Sequence, residues 1–434
     1  MVISRLAYLG KLKRLALLAV AFVVPSLLWA AGLTDTQTAV FRSDFASLQW
    51  RLNDNDMLQP ILTLGSDDRL TLTFDQLAED RSYLRYQLIH CNSRWQPDQL
   101  VSSEFVDGFN EATVDDYAFS EATTVHYVNY RITLPNNQMT PLLSGNYLLR
   151  VYDESDPDKT LLQARFSVAD PKVDIVGGLS SRTDVDYNEA HQQLSIGIDT
   201  HGMLSGGVGS LYNDLFVEIV QNGRQDNVVY LGQPTRLQGD VAWFEHDPRL
   251  IFPAGNEYRR MEIVSTLYPG MHVAQIGYAH PYYHAELETD YPRSDLPYSY
   301  DQTQHGRFRI HEFNSDDPDI QADYLAVHFS LDMPRQTGGE IYVDGDLFQR
   351  RFSPDSRMTF NGATGRYELT ALLKQGAYNY QYLYLPYGSN VARTSTIEGD
   401  RYQTVNEYLI KVYYRQPGAR YDRLVGFATL RSGV

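Results

Sequence analysis

Residues 372–382 read LLKQGAYNYQY, and this stretch decides the fold of the C-terminal part of the chain. Tyrosines recur at every second residue behind Gly376, at Tyr378, Tyr380, Tyr382 and Tyr384. Because successive side chains of a β-strand point to opposite faces, all four rings leave one face of a strand that starts at a tight turn. The spacing predicts a half-buried antiparallel strand.

The segments around this strand have the same character. Residues 325–331 and 340–346 lie upstream, the second entering an Asp-Gly turn, and residues 408–414 and 424–428 lie downstream. All four have the length and composition of strands bounded by turn formers. Together they predict a sandwich of the early-set immunoglobulin kind, which the last two strands close.

The first 31 residues are typical of a secretory signal peptide. Four basic residues, at positions 5, 11, 13 and 14, precede the apolar run 15–28, and Ala30-Ala31-Gly32 offers small residues for cleavage. The run is shorter than the ~20 residues that a membrane span needs and it contains Pro25, which favours a cleaved signal over an anchor. No cysteine follows the run, so a lipoprotein is excluded.

Removal of this segment takes away four basic residues and no acidic ones. The mature chain then has 33 Lys and Arg against 54 Asp and Glu, a net charge of −21. Such a surface repels phosphate backbones, so the charge disfavours nucleic acid as a partner. The single cysteine, Cys91, cannot form an internal disulfide, and we predict a buried structural thiol in a chain held together by burial alone.

The length suits several domains. Turn formers gather at residues 169–172, and a Pro- and Tyr-bearing stretch at residues 290–301 predicts a second linker. Strand candidates lie at residues 69–74, 83–89, 124–134, 147–152, 161–168, 173–176, 193–198, 215–220, 228–231, 262–267 and 273–278. The sequence therefore predicts an all-β chain of tandem immunoglobulin-like or early-set β-sandwiches, with the signal peptide at 1–31 and domains at 32–170, 171–305 and 306–434.

No catalytic motif stands out. Gly-x-Ser-x-Gly, His-Glu-x-x-His, Cys-x-x-Cys and Walker-type loops are absent from the sequence. His280, His284 and Glu286 come nearest to a metal cluster, but Pro281 disfavours the helix that would place both imidazoles on one face. The acidic segments 54–56 and 316–319 lack the spacing of a calcium loop and are predicted to be solvated turns. We therefore predict no catalytic, metal-binding or cofactor-binding residue.

Tyrosine is the most unusual feature of the composition, with 32 residues, of which 21 lie from Tyr258 onward. A phenol combines a large apolar face with a polar rim, which suits a sandwich core or a recognition surface. The turn at residues 343–348 and the Gly-x-Tyr-x-Tyr strand also look like glycogen-binding modules. A carbohydrate-binding periplasmic or surface protein is therefore an alternative, although no tryptophan lies beyond Trp243 and tyrosine alone would have to form the sugar platform.

Several short tags carry a resemblance to a known family. In the N-terminal part they are residues 88–92 with Trp95, and residues 126–127, 134–136, 144–147 and 151–152. Further tags are residues 220–222, 252–259, 373–380, 397–399 and 406–408. In this set and order, over nearly the whole mature chain, the sequence resembles the type IX secretion system plug proteins of Bacteroidota. It departs from them at Ala254, where glycine is usual, and at Ala377, where a larger residue is usual.

The resemblance implies a non-enzymatic protein of the periplasm, associated with the outer membrane. Such a protein binds the periplasmic opening of a very large outer-membrane β-barrel translocon and closes its pore while no cargo passes. It is peripheral to the membrane through the barrel, and neither a cofactor nor a small-molecule substrate is implied. A train of rigid sandwiches without a catalytic constellation agrees with this role, and we expect exposed loop tips and tyrosines to make the contacts.

The tag residues are predicted to determine the fold. We expect Gly145 and Gly376 to form turns, Asn146 and Asn256 to bond local backbone, and Trp95 to pack in a core. The complete set is His90, Cys91, Trp95, Ser144, Gly145, Asn146, Tyr147, Gln221, Asn222, Asn256, Glu257, Arg259, Lys374, Gln375, Gly376, Tyr378, Tyr380, Glu398, Gly399, Asn406, Glu407 and Tyr408. The second alternative, a hydrolase, would need a cleft with converging carboxylates.

Overall fold

A computed structural model describes residues 35–202 and 208–433 of the chain. The prediction of an all-β protein is confirmed, because this part contains thirty strands and its α-helices have only four to six residues. The predicted signal peptide at residues 1–31 lies outside the described residues. Within residues 35–37, the Gln37 amide donates to Asp35 Oδ1 (3.0 Å). In the described part, no helix is both long and apolar enough to span a membrane.

The first sandwich occupies residues 39–169. Its elements are β1 (Ala39–Val40), β2 (Phe45–Leu52), β3 (Ile61–Thr63), β4 (Leu70–Gln76), β5 (Leu84–Cys91), α1 (Ser102–Phe105), β6 (Val106–Gly108), β7 (Ala112–Thr113), β8 (Asp116–Phe119), β9 (Val128–Leu134), β10 (Met139–Pro141), β11 (Gly145–Asp153) and β12 (Asp156–Ala169). One sheet has the order β1-β12-β11-β5-β7, with β3 parallel to β12, and the other has the order β2-β4-β9-β8. The pair β6-β10 stands apart from both.

Alternating side chains explain why these strands form a sandwich. In β5, Leu84, Tyr86 and Leu88 are buried, whereas the intervening residues are only half-buried. One face of the strand therefore points to the core and the other does not. In the same core, the ring of Tyr147 stacks on that of Phe166, with the centroids 5.2 Å apart.

The second sandwich is built from two distant parts of the chain. The first part gives β13 (Asp174–Ser180), β14 (His191–Asp199), α2 (Val208–Asn213), β15 (Leu215–Gln221), β16 (Val229–Leu231), β17 (Arg236–Gln238), β18 (Val241–Phe244) and β19 (Ile251–Pro253), and the second gives β29 (Glu407–Tyr414) and β30 (Arg423–Arg431). One sheet has the order β13-β14-β18-β17 with β19 beside β14, and the other has the order β16-β15-β29-β30.

This pairing corrects one expectation from the sequence. Residues 408–414 and 424–428 were expected to close the C-terminal sandwich, but β29 pairs with β15 in the second sandwich, in antiparallel register from Leu215↔Tyr414 to Gln221↔Tyr408. An alternating pattern predicts that a segment is a strand but not which strand it will join.

The third sandwich is inserted between β19 and β29. It contains β20 (Arg259–Glu262), β21 (Val273–Ala279), β22 (Tyr282–Leu287), β23 (Phe308–Ile310), α3 (Pro318–Gln321), β24 (Tyr324–Leu331), β25 (Gly339–Asp344), β26 (Thr359–Asn361), β27 (Arg366–Lys374) and β28 (Gly376–Pro386). One sheet is β20-β28-β23 with β25 also paired to β28, and the other is β21-β22-β24-β27-β26. The predicted strands at 262–267 and 273–278, expected in the second domain, therefore belong here. The first of these predictions overlaps the observed strand β20 only at Glu262. The domain division at residues 170 and 305 stays a prediction.

The tyrosine strand β28 is the central strand of the third sandwich. Tyr378, Tyr380 and Tyr382 lie in its core, as the alternation predicts. The prediction that the strand is half-buried is wrong, because Asn379 and Gln381 on the opposite face are buried as well. Strands β20, β23 and β25 pair along its two edges. On its second face, Asn379 bonds to Gln304 in a loop, and Gln381 bonds to Tyr258 in a loop and to Asp344 at the end of β25.

The start of β28 gives a test of this packing. A Cβ atom at Gly376 would lie 2.4 Å from the carbonyl oxygen of Arg309 on β23, whereas one at Gly362 meets nothing within 4 Å. We expect Gly376→Ala to lower the free energy of unfolding by about 1–3 kcal/mol, as for other overpacking substitutions, and Gly362→Ala to leave it nearly unchanged. Urea denaturation measures both, and equal stability of the two variants would contradict the assigned strand pairing.

Candidate functional site

The three sandwiches meet through charged side chains that are buried. Glu218, on β15, stands at the contact between the first and second sandwiches. Its carboxylate accepts hydrogen bonds from Trp95 Nε1 (2.9 Å) and from the Tyr413 hydroxyl (3.1 Å), and Lys411 Nζ lies 3.3 Å away. Burial opposes the charged form of Glu218, but Lys411 and the indole N–H hold its pKa below the usual range. The contact is therefore a hydrogen bond from Trp95 of the first sandwich to an ion pair that is buried within the second.

Residues of the first sandwich that belong to the family tags lie next to this contact and form hydrogen bonds around it. Asn146 Oδ1 accepts from the hydroxyls of Ser167 and Tyr413 (2.9 Å each), and its amide donates to the Asn92 carbonyl (3.0 Å). His90 Nδ1 lies 2.7 Å from Asp98 Oδ2, and its ring meets that of Tyr147 edge-on. Asn146 therefore joins two sandwiches, which goes beyond the local backbone bonding that the sequence predicted.

The remaining tags in this region shape the backbone around His90. A Cβ atom at Gly145, where φ is +145°, would lie 2.6 Å from His90 Nε2, and the Ser144 carbonyl lies 3.4 Å from the same nitrogen. Cys91 is fully buried, as predicted, and burial raises the pKa of its thiol to about 12. A thiol with this pKa is protonated at neutral pH and is a poor nucleophile.

A second group of polar side chains lies where the chain leaves the second sandwich for the third and where it returns. Hydrogen bonds between these side chains and the backbone join the two points. Asn222 Nδ2 donates to Asn406 Oδ1 (2.7 Å), and Asn406 Nδ2 donates to the Ala254 carbonyl (2.7 Å). Gln221 Nε2 donates to the Pro253 carbonyl (2.8 Å), and the Tyr408 hydroxyl donates to Gln192 Oε1 (2.9 Å). These bonds fix the base of the third sandwich on the second.

A cluster of ion pairs lies at this base. The carboxylate of Glu398 accepts from Arg259 (3.0 Å), from Arg293 Nε (2.8 Å) and from the Tyr382 amide (2.8 Å), and Asn256 donates to its carbonyl (2.8 Å). Burial is outweighed by the two guanidinium groups, which lower the pKa of Glu398. The other tags here are Glu257, whose pKa burial raises and which accepts from the Tyr298 hydroxyl, and Gly399, which has φ of +82°.

The first and third sandwiches also touch directly. Lys374 Nζ, at the end of β27, lies 2.6 Å from Asp75 Oδ2 on β4 and 2.6 Å from the Asp319 carbonyl oxygen. Burial lowers the pKa of Lys374, and Asp75 opposes this shift. The Tyr324 hydroxyl donates to the same carboxylate (2.6 Å), and Gln375 Oε1 accepts from the Asp323 amide (2.7 Å). The modules are therefore not the linear train that the sequence suggested, because the first and last of them are joined.

One carboxylate connects all three sandwiches. Glu407, at the start of β29 in the second sandwich, has its Oε1 2.5 Å from Arg307 of the third sandwich. The same oxygen accepts from Gln59 Nε2 of the first sandwich (2.8 Å). Burial raises the pKa of Glu407, but Arg307 outweighs it and the pKa is lowered overall, so the group is ionised at neutral pH.

A cleft of about 210 Å³ lies at this junction. Residues from all three sandwiches line it, among them Trp50 and Trp95 of the first, Glu218 and Lys411 of the second, and Arg307 and Phe308 of the third. The cations on its walls are paired with carboxylates of neighbouring strands. The tyrosines at 378, 380 and 382 are buried in the third core and cannot form the sugar platform that the carbohydrate-binding alternative needs.

The weak metal candidates of the sequence do not converge. His284 Nδ1 lies 2.8 Å from His328 Nε2, and His280 contacts Tyr278. The carboxylate of Asp319, in the predicted acidic turn, binds Arg51 Nη1 and Nη2 (2.6 Å each). Across residues 35–202 and 208–433, no group of three or more His, Cys, Asp or Glu side chains is placed to hold a metal ion.

Sequence reasoning missed the charges at the junction. Asp75, Glu218 and Lys411 carry the contacts between sandwiches, yet only their neighbours belong to the tags. One signal could have found them: each is a charged residue inside or at the end of an apolar strand, as in LFVEIVQ and YLIKVYY. A charge at a position where a strand is buried needs a partner from elsewhere in the chain.

Comparison with known proteins assigns the family. Residues 45–170 match the model of the type 9 secretion system plug protein 1st domain. The chain belongs to this family. A type IX secretion-related role and an envelope-associated location follow from the membership. The match coincides with the first sandwich, which carries Trp95, Asn146 and the other N-terminal tags.

One solved structure is similar over nearly the whole chain. The crystal structure of a hypothetical protein from Parabacteroides merdae ATCC 43184 is 42% identical, with a TM-score of 0.89, and the alignment covers 92% of this chain and 100% of that one. Native alpha-2-macroglobulin from Escherichia coli, domains NIE-MG1, is 12% identical over 48% of this chain and 97% of that one, with a TM-score of 0.15. No curated protein matches the chain.

The contact between the first and third sandwiches gives a second test. Asp75→Asn leaves the Lys374 ammonium buried without its counter-charge, so we expect the free energy of unfolding to fall by about 3–5 kcal/mol. As a matched control, Arg236→Ala breaks the pair with Glu245, which is largely exposed, and should cost at most about 1 kcal/mol. Urea denaturation at neutral pH measures both variants. A loss below 1 kcal/mol for Asp75→Asn would show that the pair does not hold the sandwiches together.

Proposed function

We propose that this protein is a non-enzymatic plug of the type IX secretion system. It binds the periplasmic opening of the outer-membrane β-barrel translocon and occludes the pore while no cargo is passing. The observation that carries the proposal is the match of residues 45–170 to the first domain of the plug family.

The geometry of the three sandwiches supports a role as a stopper. A body that blocks an opening must keep its width when it is pushed from one side. Three sandwiches joined only by their linkers could bend at each linker. Here buried ion pairs join the third sandwich to the first and to the second, and Trp95 of the first donates a hydrogen bond to the buried carboxylate of Glu218 in the second. Separating the third sandwich from either of the others would leave a charge unpaired in a desolvated place, which costs several kcal/mol. Separating the first from the second would remove a hydrogen-bond donor from the buried Glu218 carboxylate. The sandwiches therefore move as one body.

The charge and the polar content of the junction agree with a role that needs no catalysis. The lining carboxylates are bound to cations, and Cys91 is buried with a raised pKa, so neither supplies a free base or nucleophile. The net charge of −21 after removal of residues 1–31 keeps such a body soluble in the periplasm, where we place it at the inner face of the outer membrane. Closure must be reversible, so the interface with the barrel is modest in area or polar.

Affinity purification from the native outer membrane tests the proposal. We expect the tagged full chain, extracted in mild detergent, to bring down a very large β-barrel protein in near one-to-one amount. As the control for tag-dependent binding, the same protein is made with a cleavable tag and is eluted by removing the tag. Recovery of the protein without any outer-membrane barrel would contradict the proposal.

A further inference from the structure

Three large apolar side chains project from one end of the third sandwich. Leu267 and Tyr268 lie in the loop between β20 and β21, and they are 73% and 72% exposed. Phe313, in the segment between β23 and α3, is 73% exposed, and its amide donates to the Val264 carbonyl (3.0 Å). The two loops are therefore neighbours, and we call these three side chains the apolar tip.

Backbone hydrogen bonds hold the ends of the β20–β21 loop, which carries Leu267 and Tyr268. The Glu262 amide donates to the Met271 carbonyl (3.0 Å), and the Ile263 amide donates to the Gly376 carbonyl of β28 (2.9 Å). At Gly270, a Cβ atom would lie 2.2 Å from the Glu262 carbonyl oxygen, so the ends of the loop are packed closely together. Residues whose backbone is fixed in this way stay exposed although a large core lies behind them. The fold gains nothing from their exposure, and clustered exposed apolar side chains mark interaction sites.

Charge indicates what the tip contacts. Residues 263–271 carry no charged side chain, while Glu262, Glu312 and Asp316 lie beside the two loops. Of the nearby cations, Arg260 lies 3.0 Å from Asp301 and 3.8 Å from Glu262, and Arg309 lies 3.9 Å from Asp56, so carboxylates outnumber cations around the tip. An apolar group with carboxylates at its border is repelled by anionic lipid and complements a protein surface that is apolar at its centre and basic at its rim.

The surface area of the apolar tip indicates whether its partner is a second copy of this chain or a different protein. One aromatic side chain buries roughly 150–250 Å², so three apolar side chains at this exposure cover about 550 Å² at most. A stable interface needs about 800 Å² from each partner. The net charge of −21 opposes pairing of two copies as well. The tip is therefore too small to hold a dimer and suits an anchor within a larger interface.

We infer that the apolar tip is an anchor that seats in an apolar, basic-rimmed concavity of a protein partner, and, resting on the proposed function, that this partner is the translocon barrel. The anchor fixes the orientation of the plug, because it places the end of the third sandwich that carries the β20–β21 loop against the barrel. Leu267, Tyr268 and Phe313 form the apolar centre of the contact, and the acidic residues beside them meet its basic rim.

The test compares two variants of the full tagged chain in the outer-membrane purification. In the tip variant, Leu267→Ser, Tyr268→Ser and Phe313→Ser are combined. In the control, Phe109→Ser removes the side chain that is 82% exposed in the first sandwich. Because none of these residues is buried, both variants should unfold at the wild-type urea concentration. We expect the tip variant to bring down at least tenfold less barrel than the wild type, and the control to bring down the same amount as the wild type.

Each other outcome overturns the inference in a recognisable way. Wild-type recovery of barrel by the tip variant overturns the anchor and leaves the proposed function standing. Absence of the barrel from the wild-type sample removes the proposed function and the anchor with it. Co-sedimentation of the purified wild type, but not the tip variant, with vesicles of phosphatidylethanolamine and phosphatidylglycerol would make the occupant a lipid surface.

A single-cysteine crosslink provides a second measurement that does not depend on stability. Cys91 is buried and its pKa is raised, so a cysteine introduced as Leu267→Cys is the accessible thiol among the described residues. A thiol-attached photocrosslinker at this position should join the chain to the barrel, and the same probe at Phe109→Cys should not. Equal crosslinking at both positions would contradict the assignment of the anchor.

Discussion

The carboxylate of Glu407 is the point on which the architecture depends. It stands at the start of β29, where the chain re-enters the second sandwich, and it binds Arg307 of the third sandwich and Gln59 of the first. A buried carboxylate must be satisfied by several donors, and here they come from all three modules, because Arg431 of the second sandwich also donates to Glu407 Oε2 (3.3 Å). The chain can bury this group only when the three sandwiches are in place together. The position of each sandwich therefore depends on the other two.

Two further buried pairs complete the arrangement. Asp75 with Lys374 joins the first and third sandwiches. Glu218 and Lys411 pair within the second sandwich, and Trp95 of the first sandwich donates its indole N–H to the Glu218 carboxylate. Replacing such pairs with apolar side chains is often neutral for stability in other proteins, so their value lies in geometry. An ion pair accepts one arrangement of its partners, whereas an apolar contact tolerates sliding. A plug whose outline must match an opening benefits from this constraint, and the apolar tip extends from the same fixed body.

Much of the fold was predictable from the sequence, because it rests on local patterns. Alternation identified the tyrosine strand β28. Partner strands were not predictable, because β29 has the same apolar pattern whether it pairs with β28 or with β15. The insertion of the third sandwich into the second was missed for this reason. The burial of both faces of β28 was missed as well, since Asn379 and Gln381 are polar and are satisfied by residues far away in sequence, Gln304 and Tyr258.

The candidate site was predictable in part. Tags such as Asn146, Asn406 and Glu407 were recognised through the family resemblance, but their expected role was local, and the structure places them at contacts between sandwiches. Their partners Asp75 and Glu218 were missed, because a single charge in an apolar strand does not reveal which distant residue neutralises it.

The central claim is that the three sandwiches form one cooperative body, and equilibrium urea unfolding followed by two probes tests it most directly. Tryptophan fluorescence reports the first and second sandwiches through Trp50, Trp95 and Trp243, while far-UV circular dichroism reports the strands of all three. The account predicts that the two transitions coincide in midpoint and slope. A circular dichroism transition in two steps, one of them without a change in fluorescence, would show that the third sandwich unfolds alone and would contradict it.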